Sequence, residues 1–211
     1  MKPSPPAEIR HDLVLVGGGH THVQVLRAWA MAPVPGVRVT VVVDRPVAVY
    51  SGMVPGFVAG QYTSDELEID VRPLARRAGI ACIVSAATGI DADARRLHLM
   101  GRPSLAYDTA SFDVGSTVAG LELPGVGEHA IPTRPIGRFV ERVDEVLARA
   151  RGRASFDVVV VGGGAGGVEL AFGFRARLER EGVRGARVLL LEAGPALLRE
   201  HPAAARVIER E

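Results

Sequence analysis

Two runs of uninterrupted apolar residues, 13–16 and 158–161, each stop at a cluster of glycines and give way to a helical repeat. An apolar run without polar alternation is the pattern of a strand buried on both faces, as in a parallel sheet. After the first run, Val23, Leu26, Trp29 and Ala30 recur at helical spacing, and the pattern ends near Pro33, Pro35 and Gly36. Residues 37–43, interrupted by Arg38 and Thr40, read as the next strand and stop at Asp44. This predicts a strand–helix–strand unit whose right-handed crossover places both strands in one parallel sheet. The later copy repeats the plan: a strand from Asp157, a glycine turn at 162–167, a helix, and a strand over 187–191 that stops at Glu192. Asp44 lies 25 residues beyond Gly19 and Glu192 lies 25 residues beyond Gly167, so the repeat extends to the acids.

Between the copies the pattern is shorter in range. Residues 45–62, punctuated by proline and glycine, read as an irregular loop, and 70–78 as a short helix stopped at Gly79. Strands are expected over 81–86, 96–100, 105–107 and 109–114, with a turn at 90–93. A Pro/Gly-rich crossing segment over 118–135 leads to a helix over 135–150 with Phe139, Val143, Val146 and Leu147 on one face. The expected fold is therefore α/β. A Rossmann-like, doubly wound first domain over 11–153 follows a flexible tail over 1–10 and contains an inserted β-hairpin region. The first strand–helix–strand unit of a second such domain occupies 154–211. Ending one unit into that domain, the chain reads as the front part of a longer protein.

A strand, a glycine turn and a helix N-terminus together form an anion site, because free N–H groups and the helix dipole converge there. An acid at the end of the following strand is placed to accept the hydroxyls of an adenosine ribose. Two such sets predict two dinucleotides. A formal net charge of +1 gives no global field for nucleic acid or an anionic membrane. The single cysteine, Cys82, excludes a disulfide framework and an intrachain dithiol pair, and it sits in an apolar run where a core role outweighs a nucleophilic one. No apolar run is long enough to span a bilayer, and the N-terminus lacks a signal-peptide core, so the reading is cytoplasmic.

The two glycine motifs, starting 145 residues apart at Gly17 and Gly162, resemble those of the two-dinucleotide-domain flavoproteins of the pyridine nucleotide-disulfide oxidoreductase superfamily. Within that superfamily, Leu13–His22, Tyr50–Gly56 and Asp113–Thr117 are most similar to the NADH dehydrogenase-like group. The likeness is strongest to members fused to or encoded beside selenophosphate synthase. The resemblance implies FAD at the first motif, NAD(P)H at the second, and hydride passing to flavin and on to a quinone or other small acceptor. It also implies a functional link to selenophosphate synthase, and it leaves room for a homodimer and for peripheral attachment at the inner membrane face. The return segment of such proteins, with a Gly-Asp pair at the ribityl-phosphate side of the flavin, has no counterpart in this sequence. A non-catalytic or truncated nucleotide-binding fragment is the alternative of a different class, and a flavin monooxygenase is a third reading.

Gly17 and Gly19 suit the turn, while the third glycine position is His22, whose side chain is expected to hold the helix off the sheet or to point into the FAD site. His20, Thr21 and His22 are candidates for phosphate-side or flavin-side hydrogen bonds; packing is the plain reading of the two histidines, and no neighbours complete a metal shell. Asp44, with Arg45 beside it, is either the FAD ribose ligand or a solvated acid. By resemblance, Ser51, Gly52 and Met53 lie beneath the isoalloxazine, Ala87 opens the stretch along the adenine, and Gly115 and Ser116 belong to the second FAD fingerprint. Asp113 there replaces a small residue. In the second motif Gly162, Gly164, Ala165 and Gly167 form the turn. Glu169 is the catalytic candidate beside the nicotinamide by resemblance, and otherwise an acid complementing the helix dipole. Glu192 is expected to accept both ribose hydroxyls; with no arginine immediately after it, NADH is expected over NADPH.

Overall fold

The computed structural model describes residues 8–208. In chain order the elements are β1 (His11–Val16), α1 (His20–Met31), β2 (Val37–Val43), β3 (Val47–Val49), α2 (Val54–Val58) and β4 (Glu68–Asp70). They continue with α3 (Val71–Arg77), β5 (Ala81–Val84), β6 (Ala87–Asp91), β7 (Arg96–Leu99), β8 (Arg102–Ala106) and β9 (Thr109–Phe112). The last are α4 (Val126–His129), α5 (Ile136–Ala150), β10 (Phe156–Val161), α6 (Ala165–Arg180), β11 (Ala186–Leu191) and α7 (Pro202–Ile208). Most of the tail expected over 1–10 lies outside the described residues.

The chain groups into two compact units. The first comprises residues 8–50 and 68–118, the second 51–67 and 119–208. The linker at 152–155, where the sequence suggests a boundary, lies inside the second unit.

The first unit is built on a parallel sheet in the order β5-β2-β1-β9, the arrangement of an α/β dinucleotide fold. Strand alternation explains why 13–16 and 41–43 of its central strands are apolar throughout. Leu15, Val39, Val41 and Val43 point to one face, where they pack with Leu26 of α1 and with Val71 and Ala75 of α3. Val14, Val16 and Val42 point to the other and meet Leu97 and Leu99 of β7. That strand is the centre of an antiparallel sheet, β6-β7-β8, so both faces of the parallel sheet are dry.

Three local expectations are corrected. Residues 45–62 are not irregular: β3 pairs antiparallel with β4, and a 3-10 turn at Ser51–Met53 runs into α2. The proline at 55 is compatible with α2 because it occupies the first turn, whose N–H groups have no partner in the helix. Ile90 and Asp91 extend β6 rather than forming a turn, and the reversal comes at the next residues, with Arg95 at φ 50°. The last parallel strand ends at Phe112, two residues early, because Asp113 turns toward the first glycine loop.

In the second unit β10 and β11 pair in parallel and α6 packs along them. The helix also packs on α2, where Gly173 brings it against the backbone of Pro55 and the side chain of Val58. Arg177 and Arg180 at its C-terminal end donate to the carbonyls of Phe57 and Gly60. Glu181, just beyond the helix, accepts from Arg177 at 2.6 Å and from Arg151 at 3.0 Å, joining the ends of α5 and α6. Burial pushes the Glu181 carboxyl up, but the two guanidinium groups outweigh it and hold it below the usual range.

A carboxyl lowered in the folded state stabilises the fold above its unfolded value and loses that contribution as pH falls through the folded value. Glu181→Gln is therefore expected to cost about 1 kcal/mol or more at pH 7. In urea titrations its difference from the unsubstituted protein should shrink as pH drops below about 4. A constant difference across that range would count against the ion pairs.

Candidate functional site

Each unit presents a glycine turn between a strand and a helix, but the two turns are held differently. In the first, Gly17 donates its N–H to Val42 O at 2.8 Å and sits at φ 98°, a conformation suited to glycine. A Cβ on Gly17 would strike the carbonyl of Asp113, and one on Gly19 would strike the carboxylate of Asp113. Gly19 N–H donates to Asp113 O at 3.2 Å, and His22 N–H donates to Asp113 Oδ2 at 3.1 Å. The acid that the sequence shows only as a departure from a small residue thus caps α1 from the end of β9. The N–H groups of His20 and Thr21, also at the start of α1, make no hydrogen bond among the described residues and remain open to an anion.

His22 packs between the helix and the turn. It is 1% exposed, and its Nδ1–H donates to Gly17 O at 2.8 Å while Nε2 meets the Ser111 hydroxyl at 3.0 Å. A carbonyl can only accept, which places the proton on Nδ1. The ring is a strut from helix to turn to β9, so its side chain has no free nitrogen for a cofactor. His20 is exposed and makes an edge-on contact with Tyr50, ring centroids 5.8 Å apart, and Thr21 is exposed beside it.

Asp44 stands exposed just past the end of β2, its Oδ1 accepting from Arg45 N–H at 2.9 Å. Ala87 opens β6 and is exposed, and Gly115 and Ser116 follow β9 on the surface. These residues belong to the first unit, whereas Ser51, Gly52 and Met53 belong to the second, where they lead into α2. Cys82 packs against the helix-side core of the first unit, and burial pushes its thiol up.

In the second turn Gly162, at φ 108°, donates to Leu191 O at 2.8 Å. Gly167 lies so close to the Gly162 carbonyl that any side chain would overlap it. Glu192 does not stand free. Its Oε2 accepts from Gly163 N–H at 2.6 Å and its Oε1 from Gly194 N–H at 2.8 Å. Those two backbone donors, helped by Arg199, hold its carboxyl below the usual range. Leu198 N–H donates to Gly163 O at 2.9 Å and fastens the following loop to the turn.

Together these residues shape an open cavity of about 320 Å³ at the start of α6, lined by Gly163, Gly164, Ala165 and Glu192 and by Leu198, Arg199 and His201 of the following loop. A volume near the lower end for ligand pockets suits part of a dinucleotide rather than all of it. Arg199 and His201 were not foreseen, because they lie seven and nine residues past the acid and only the loop's return brings them back. Glu169, in the second turn of α6, is exposed and does not line this cavity; it also lies past the first turn, where an acid complements the dipole best. Among the described residues no group of three or more His, Cys, Asp or Glu side chains could hold a metal ion, and no helix is long and apolar enough to cross a membrane.

The two turns fail differently when altered. His22→Ala strips the Gly17 carbonyl of its buried donor and is expected to destabilise the protein by about 1–3 kcal/mol in urea unfolding. Gly167→Ala forces α6 away from Gly162 and should weaken adenine-nucleotide binding at least about tenfold by calorimetry. Unchanged binding would show that this close approach is dispensable.

The pyridine nucleotide-disulphide oxidoreductase family matches the chain over residues 11–211. Two NADH dehydrogenase-like proteins from strains of Mycobacterium tuberculosis are each 33% identical over 125 residues, 56% of this chain and 31% of theirs. Among solved structures, the sulfide:quinone oxidoreductase of Aquifex aeolicus matches with a TM-score of 0.72 at 18% identity, over 95% of this chain and 48% of that one. NDH2 of Plasmodium falciparum in complex with NADH matches with 0.74 at 15% identity, over 90% and 43%. The water-forming NADH oxidase of Lactobacillus brevis bound to NADH matches with 0.71 at 17% identity, over 95% and 44%. The chain thus spans about a third of the curated relatives it matches and less than half of these solved chains, and the structural matches speak for the fold. With the family matched across both glycine turns, the chain belongs to the pyridine nucleotide-disulphide oxidoreductases.

Proposed function

We propose that this chain carries the FAD-binding and NADH-binding turns of an NADH dehydrogenase-like flavin oxidoreductase that passes electrons to a quinone or another small acceptor. The observation that carries the reading is the second turn: a helix N-terminus, a glycine backbone and an acid converge on one cavity. That is the donor set an adenosine diphosphate requires. Gly164 and Ala165 would bind the pyrophosphate through backbone N–H groups, while Glu192, holding the Gly163 N–H, would face the ribose. At the first turn, the open N–H groups of His20 and Thr21 would meet a diphosphate, and Asp44, exposed past the end of β2, would face its ribose.

FAD, when bound, supplies the two-electron acceptor for a nicotinamide hydride. The chain's own residues orient and hold. Asp113 and His22 keep α1 seated on its turn, Glu192 ties the second turn to the loop after β11, and Glu169 presents a carboxylate at the helix surface beyond the cavity. The quinone-type acceptor is suggested by the sulfide:quinone oxidoreductase among the structural relatives.

Purified protein supplied with FAD is expected to show flavin absorption bands that survive desalting and bleach on anaerobic addition of NADH. Absence of both flavin retention and nucleotide binding would overturn the reading. Glu169→Gln is expected to slow that bleaching by about tenfold, ~1.4 kcal/mol in barrier, with the NADH dissociation constant nearly unchanged. Equal rates in stopped-flow traces would remove Glu169 from the chemistry.

A further inference from the structure

We propose that His20 is the counter-charge of the first turn: its imidazole takes up a proton from solvent as the diphosphate of FAD binds, so that flavin is held more tightly as pH falls. The inference rests on the reading of this turn as the FAD diphosphate site. It adds a side-chain charge and a pH dependence that the backbone donors and the helix dipole do not supply.

Three features carry it. First, the turn holds a negative charge of its own. The Asp113 carboxylate occupies the space of a Cβ on Gly19, accepts the His22 N–H at 3.1 Å, and meets no guanidinium or ammonium group among the described residues. A diphosphate on the neighbouring N–H groups of His20 and Thr21 therefore enters beside a like charge. Second, the flanking elements bring as much acid as base. Gly18 packs against Val43, Ala48 and Val71, so the end of β2, β3 and the start of α3 border the turn. There Arg45 adjoins the exposed Asp44, Arg72 is paired with Asp70 at 2.7 Å, and Glu68 stands opposite Val49 on β4. Arg76 and Arg77 come only in the last turn of α3. Third, His20 is placed to answer that charge. It is the first residue of α1 and exposed, its ring makes no hydrogen bond among the described residues, and the edge-on contact with Tyr50, centroids 5.8 Å apart, sets where it lies. Farther along α1, Gln24 is uncharged and Arg27 donates to it, while the ring nitrogens of buried His22 are both bonded.

The dipole of α1 opposes a cation at its first residue, and an anion bound in the turn reverses that balance. Binding and protonation of the ring are thereby linked, and the imidazolium offers the diphosphate a charge-assisted N–H. The diphosphate diester keeps its own charges throughout the range in which histidine titrates.

The test is titration of the protein with FAD, followed by flavin fluorescence at about pH 6 and about pH 8. Calorimetry in buffers of different ionisation enthalpy counts the protons taken up. FAD is expected to bind about fivefold or more tightly at the lower pH, with net proton uptake. His20→Gln should bind about fivefold or more weakly at about pH 6 and lose most of the pH dependence, with its urea midpoint unchanged. His20→Lys, which stays charged, should bind at about pH 8 nearly as tightly as the unsubstituted protein does at about pH 6. Equal affinity at both pH values, or a pH dependence that survives in His20→Gln, would overturn the inference and leave the FAD-site reading standing. No FAD binding at either pH would instead overturn that reading, and the inference with it.

Discussion

In both units the helix after the glycine turn must come within touching distance of the first glycine's carbonyl. Helix and turn cannot seat otherwise, and an open anion site exists only if they seat. The second unit solves this with a small residue: Gly167 lets backbone meet the Gly162 carbonyl directly. The first unit solves it with a side chain, the His22 ring donating to the Gly17 carbonyl from the equivalent position. One carbonyl thus has two partners in the two copies, a bare Cα in one and an imidazole N–H in the other. A buried carbonyl facing a helix must be met by either contact or hydrogen bond, and a ring fills the gap that a wider separation opens.

That substitution draws in the end of β9. A ring wedged under the turn needs a second anchor, supplied by Ser111, and two residues on the chain breaks from the ladder so that Asp113 can cap α1. Gly19 consequently has to be glycine for a local reason, because the Asp113 carboxylate occupies the space of its side chain. The acid and the strut form one network with the turn, and among the described residues the N–H groups of His20 and Thr21 stay outside it.

The acids at the ends of the second strands diverge in a parallel way. Among the described residues Asp44 accepts just its neighbour's N–H and stays exposed, whereas Glu192 spans from the glycine turn to the loop beyond β11. The tethered acid organises a loop, and the loop then carries Arg199 and His201 into the cavity. A corresponding place at the strand end therefore does not mean corresponding electrostatics: one acid stands exposed, the other shares its charge with two backbone dipoles and a guanidinium.

The sequence by itself determined the repeated strand–turn–helix–strand plan, because unbroken apolar runs, glycine clusters and helical spacing are local signals that tertiary packing reinforces in this fold. The central strands are apolar on both faces for the reason their composition implies: helices cover one side and the β6-β7-β8 sheet the other. The short elements within 45–62 were not legible, since β3 exists only by pairing with β4, nearly twenty residues on, and proline and glycine mask α2. The roles of His22, Asp113 and Arg199 were decided by tertiary structure alone. Each depends on a partner distant in the chain or on a loop's return path: Ser111 for the ring, the start of α1 for the acid, and the Leu198–Gly163 bond for the arginine. Residue type and spacing announce that a nucleotide turn exists, but which side chains face its ligand is set by contacts that no local pattern encodes.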